Sequence, residues 1–158
     1  MFKQIAITLG LVLFGLTSSF AYNSNPQKDN GKARTIKIEA TDQLRFSVEE
    51  ITAKPGEELH VVLTTASDYP ANVMSHNFVL LTAQADASKV AQKCTQAHDN
   101  AYISPEVESD IIAHTDLASG GKTVEVTFKA PEEPGSYTYL CTFPGHFMAG
   151  MKGTLVVK

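Results

Sequence analysis

The segment Cys141-Thr142-Phe143-Pro144-Gly145-His146-Phe147-Met148-Ala149-Gly150-Met151, close to the C-terminus, puts a thiol, an imidazole and thioether sulfur on one short loop. Nitrogen combined with soft sulfur is the donor set that suits copper, above all two imidazoles and a thiolate in a plane with a weak axial Met. The loop holds three of those four donors. The fourth, a second His, has to be delivered by the fold. The chain must therefore place this loop at one end of a scaffold, against a segment distant in sequence.

The rest of the chain reads as such a scaffold. Thr35-Ile36-Lys37-Ile38-Glu39-Ala40 alternates polar and apolar residues, as a half-buried strand does. Leu44, Phe46 and Val48 repeat that period, Ile51 follows, and Lys54-Pro55-Gly56-Glu57 is turn chemistry. Leu59 to Thr65 is rich in β-branched residues, and Phe78 to Leu81 is a short apolar run suited to a buried strand. Val124, Val126 and Phe128 alternate, Pro131 to Gly135 breaks the chain, and Ser136 to Cys141 and Gly153 to Val157 complete the pattern. Short strands punctuated by Gly and Pro predict an all-β fold, a Greek-key β-sandwich or barrel. Thr82 to Leu117 lacks this rhythm. Within it Ala83 to Ala97 is rich in Ala, Lys and Gln, which predicts a helix and makes the segment a small helical insertion flap outside the sandwich.

Met1-Phe2-Lys3, an apolar run from Ile5 to Leu16, and Ser19-Phe20-Ala21 have the layout of a secretory signal peptide, residues 1–21, cut after Ala21. The apolar run is too short for a membrane span, which needs roughly 20 residues. Residues 22–33 are polar and aperiodic and predict a disordered lead-in. Residues 34–158 then form one domain, large enough to bury a core without staples. The balance of charge is −4, with no basic cluster, which argues against nucleic acid or an anionic membrane as partner. Of the two cysteines, Cys141 sits among metal donors, so a disulfide with Cys94 is not expected. Cys94 is expected as a free, half-buried thiol. Cys94 and His98, four apart on the predicted helix, make no metal site by themselves. His60 is expected mid-strand and facing solvent.

Three separated segments carry a resemblance in the same order: Asn72-Val73-Met74-Ser75-His76-Asn77-Phe78, Ile112-Ala113-His114-Thr115, and Cys141 to His146 with Met151-Lys152-Gly153-Thr154-Leu155. Together they resemble the azurins, within the cupredoxins. The four residues between His146 and Met151 are closer to auracyanin and plastocyanin, where azurin has three. The resemblance implies a cupredoxin fold holding one type 1 copper ion through His76, Cys141 and His146, with Met151 as the axial donor. Met148, also on the loop, is then a rim residue. Ser75 stands where azurins have a glycine whose carbonyl approaches copper, so its own carbonyl is a further weak donor. Asn77 matches an asparagine that ties the two ligand loops together. The backbone N–H groups of Asn77 and Phe143 are expected to donate to the Cys141 sulfur, and His114 matches an exposed histidine outside the site.

The function implied is a soluble blue copper protein of the periplasm, carrying single electrons by Cu(I)/Cu(II) cycling. Val73, Met74, Phe143, Pro144, Gly145, Phe147 and Met148 flank the ligands and are expected to form an apolar docking patch. Electrons would pass there, at the exposed edge of His146, to and from cytochrome-type or copper-enzyme partners, with the carrier a monomer. The alternative is a periplasmic copper-binding chaperone or storage protein. An enzyme is not expected, because the five histidines include no His-x-His pair that would announce a second copper centre.

Overall fold

The alternation read along the chain becomes strands: β1 (Arg34–Thr41), β2 (Arg45–Phe46), β3 (Glu50–Ala53), β4 (Glu58–Ala66), β5 (Ser75–His76), β6 (Val79–Leu81), β7 (Ile111–His114), β8 (Ala118–Ser119), β9 (Thr123–Lys129), β10 (Gly135–Leu140) and β11 (Lys152–Val157). One α-helix, α1 (Ala87–Thr95), lies between β6 and β7. The structure, a computed structural model, describes residues 32–158. The expected signal peptide and all but the last two residues of the expected lead-in lie outside the described residues.

Two sheets form the sandwich, with strand orders β2-β1-β4-β9 and β3-β11-β10-β6-β7, and a short ladder pairs β5 with β8. Period-two burial explains why they face each other. In β4, Leu59, Val61, Leu63 and Thr65 are buried, while the residues between them are half-exposed. In β11 the inward set is Gly153, Leu155 and Val157. One core cluster draws Ile38, Leu59, Val61 and Leu63 from the first sheet and Ile51, Tyr137, Tyr139 and Leu155 from the second. The run from Leu44 to Ile51 is not one strand. The chain leaves the first sheet after β2 and joins the second as β3, parallel to β11 with Ile51 opposite Leu155.

The flap covers the outer face of the second sheet. Val79, Leu81 and Leu140 point away from the main core and meet Val90, Cys94 and Val107 beneath α1 and the following turns. This second burial makes β6 apolar at every position. The helix is shorter than expected because Asp86 stops it at its N-terminus. The Asp86 carboxylate accepts from the N–H groups of Ser88 and Lys89, at 2.9 and 3.1 Å. Two further expectations for this segment need correction. Ile111–His114 is not flap but the edge strand β7, paired with β6. Cys94 is not half-buried: α1 turns it inward, where it is fully covered and accepts a 3.4 Å contact from the Ser104 N–H.

Gly153 faces Tyr139 across the β10–β11 ladder. The Tyr139 ring lies over the glycine and packs on Phe46 and Phe78, with centroids 5.5 and 4.9 Å away, and its hydroxyl donates to the Val48 carbonyl. A Cβ on residue 153 would overlap that ring. Gly153→Ala is expected to destabilise the protein by about 1–3 kcal/mol through overpacking, read as a lower urea midpoint. An unchanged midpoint would show that the ring has room to move.

Candidate metal centre

His76 ends β5, held there by pairing with Ala118 of β8. Cys141 directly follows β10, and its N–H donates to the Met151 carbonyl at 3.2 Å, which draws the two ends of the loop together. Within the loop, N–H groups of His146, Ala149, Gly150 and Met151 donate to the carbonyls of Phe143, Gly145, Phe147 and His146. Gly145 adopts φ +85°, a conformation a side chain disfavours, so the turn after Pro144 relies on glycine. The loop is a folded turn with its own hydrogen bonds.

These elements bring together the three residues singled out as in-plane donors. Cys141 Sγ lies 4.0 Å from His76 Nδ1 and 3.4 Å from His146 Nδ1, and the donor atoms of all three lie within 4.8 Å of one another. His76 and Cys141 are fully buried and His146 is 3% exposed. Met151 is fully buried in the same core cluster, whereas Met148 is 83% exposed. Ser75 is buried, and its hydroxyl donates to the Ala71 carbonyl at 2.6 Å.

The surroundings suit a cation. Burial holds both imidazoles neutral, pushing His76 and His146 down to about 4; His146 adds to the effect at His76 and Asp42 opposes it. Each ring nitrogen facing the sulfur can then keep a free lone pair. Burial also pushes the Cys141 thiol up to about 12, against the N–H groups of Asn77 and Phe143 that donate to its sulfur. A thiolate here needs a metal ion beside it. His76 Nε2 is buried with no hydrogen-bond partner among the described residues, and Nδ1 faces the Cys141 sulfur, at 4.0 Å. Ligand–metal bonds of roughly 2.0–2.3 Å set donors on one ion at separations like those seen around Sγ. The residues fit one soft metal ion.

The loops are cross-tied one residue beyond each ligand. Asn77 Oδ1 accepts from the Thr142 N–H at 2.9 Å and its Nδ2 donates to Thr142 Oγ1 at 2.7 Å, both buried. Thr142 was not singled out in the sequence. Its signal was available, because Asn77 and Thr142 repeat the spacing of His76 and Cys141. Phe143 is only 7% exposed and forms a wall: its ring packs on His146 at 4.9 Å and on Tyr102 at 5.1 Å. It therefore leaves the expected surface patch, and His146 offers a thin edge where an exposed one was expected. Cys94 and His98 do not combine, since α1 ends before His98 and the His98 side chain is exposed beside Asp99. His60 sits mid-β4 with Nε2 3.0 Å from the Glu125 carboxylate. His114 is exposed at the end of β7.

Residues 32–158 match the family of copper binding proteins described as plastocyanin/azurin. The chain belongs to this family. Azurin of Pseudomonas aeruginosa is 38% identical over 127 residues, covering 78% of this chain and 84% of that protein. Auracyanin-A of Chloroflexus aurantiacus is 38% identical over 118 residues, covering 74% and 69%. Among solved structures, the "blue" copper protein auracyanin A of that organism superposes with TM-score 0.71 at 34% identity, covering 80% of this chain and all of its own. Dithionite-reduced auracyanin of Roseiflexus castenholzii gives 0.71 at 31% identity, covering 81% and 99%. The plastocyanin/azurin family makes the metal copper and the fold a cupredoxin sandwich with a helical flap.

In the metal-free protein the two imidazoles take up protons near pH 4, whereas in the unfolded chain they do so near 6.5. Protonation thus favours unfolding as the pH falls, and stability is lost between about 6.5 and 4. The Cys141 thiol, raised above its ordinary 9.0, removes stability as the pH rises from there towards 12. Urea midpoints of the metal-free protein are expected to fall on both sides of a neutral plateau. A midpoint that stays constant from neutrality to pH 4.5 would contradict two buried neutral imidazoles.

Proposed function

We propose that His76 Nδ1, Cys141 Sγ and His146 Nδ1 would hold the copper ion, that Met151 would add a weak sulfur donor, and that the protein is a one-electron carrier and not an enzyme. The observation that carries this reading is the convergence of three buried soft donors from two distant parts of the chain. Bound copper would supply a Cu(I)/Cu(II) couple, the chemistry suited to a donor set of two His and one Cys. The chain's own residues do the rest. The Asn77 and Phe143 N–H groups stabilise charge on the sulfur and so favour the reduced state. The Asn77–Thr142 pair keeps the His76 and Cys141 backbones at a fixed separation, so little rearranges when the charge changes.

Electrons enter through the thin edge of His146. Around it, Pro144 and Gly145 are exposed and Phe147 half-exposed, with Met148 the most open. Tyr69, Val73 and Met148 are the exposed large hydrophobic residues of the described chain, and all three lie on the two loops that run into the ligands. Such a patch suits brief encounters with cytochrome-type or copper-enzyme partners, made by a monomer. Residues 1–21 direct the chain to the periplasm, and no helix among the described residues is long and apolar enough to cross a membrane. A chaperone or store would need exchangeable donors, and burial of all three donors argues for retention.

Cu(II) added to the metal-free protein is expected to produce an intense visible thiolate-to-copper band. Cys141→Ser should abolish the band and Cys94→Ser should leave it intact. A colourless Cu(II) protein would refute the carrier reading, and loss of colour with Cys94→Ser would mean that the wrong thiol has been assigned.

A further inference from the structure

Arg45, on the two-residue strand β2, reaches across to the ligand loop from 104 positions away. Its Nη1 donates to the Ala149 carbonyl at 2.7 Å and to the Leu44 carbonyl at 2.8 Å. Leu44 takes the left-handed conformation, φ 56°, in the turn before Arg45. On the loop side, Gly150 has φ +97°, and a Cβ there would stand 3.3 Å from Nη1 and 3.4 Å from Nη2. The guanidinium therefore lies directly against the Gly150 backbone. Arg45 takes part in none of the ion pairs among the described residues. Its donors serve carbonyls instead of a carboxylate.

The loop's own hydrogen bonds engage the N–H groups of Ala149, Gly150 and Met151 but leave the Ala149 carbonyl without a loop partner. His146, Phe147 and Gly145 carbonyls accept from loop N–H groups, whereas the carbonyl of Ala149 is taken by Arg45. Ala149 and Gly150 are the last residues before Met151, whose own backbone is tied to His146 and Cys141, so the approach of the chain to Met151 runs through the segment that Arg45 holds. A planar fork that binds carbonyls and covers a glycine is something guanidinium does and a flexible ammonium does not. We propose that Arg45 is a positioning residue of the copper site, clamping Ala149 and Gly150 so that Met151 enters at a fixed depth. The inference rests on the reading of Met151 as axial donor.

The test uses Arg45→Gln, Met151→Leu and the double variant. In the metal-free protein, amide hydrogen exchange at Gly150 and Met151 should accelerate by about tenfold or more in Arg45→Gln, as expected from losing one hydrogen bond from a charged donor, with Leu155 unaffected. In the copper-loaded protein, Arg45→Gln should alter the visible spectrum when Met151 is present and leave it unaltered when Met151→Leu is already there. The same spectral change in both backgrounds would mean a through-space charge effect and overturn the proposal, as would unchanged exchange at Gly150 and Met151. If Met151→Leu alone leaves the spectrum untouched, the axial assignment falls and the proposal with it. If that variant alters the spectrum and Arg45→Gln does not, the axial assignment stands and only the role of Arg45 fails.

Discussion

A thiol shut away from water between two neutral imidazoles is the constraint on which this molecule turns. Burial alone would keep Cys141 protonated well beyond physiological pH, with its thiol pushed up to about 12. Two backbone N–H groups pull the other way but do not overcome the loss of water. Only a cation at the same point makes a thiolate there favourable. The metal and the sulfur anion are thus mutually dependent, and the protein's task is to hold the donors so that neither has to search for the other.

The sandwich performs that task through short links. β10 delivers Cys141 and β11 receives Met151, and the Cys141 N–H bonded to the Met151 carbonyl closes the loop between them. The β5–β8 ladder delivers His76 from another part of the chain. Asn77 and Thr142 then lock the two deliveries to each other with a reciprocal pair of buried hydrogen bonds. Removing one member of such a pair leaves buried polar groups unsatisfied, at a cost of about 1–3 kcal/mol each. Around this frame Phe143, backed by Tyr102, packs on His146, which is almost fully buried yet lies close under the surface.

Much of this was legible in the chain itself. The alternation along β1, β4, β9 and β11 marked the strands because each buries one face, and period-two patterning reports that directly. Cys141 and His146 on one loop marked the site because their residue types are those a soft metal takes, and the fold does bring them to His76. Ile111–His114 escaped because an edge strand that is half-buried on both faces shows no clean alternation. The burial of Phe143 and Cys94 has no local signature, since it comes from packing between the flap and the rest of the domain, which no local pattern encodes. Arg45 was invisible for a similar reason: its partner is a backbone carbonyl, and carbonyls have no residue type.

The central claim is that the scaffold, and not the metal, sets the geometry of the donors. Crystal structures of the metal-free and copper-loaded protein test it most directly. The account predicts that the His76 Nδ1, Cys141 Sγ and His146 Nδ1 positions agree between the two within about 0.5 Å, with the Asn77–Thr142 hydrogen bonds intact in both. A metal-free protein in which His146 swings out to solvent, or in which Cys141 moves away from His76, would contradict it.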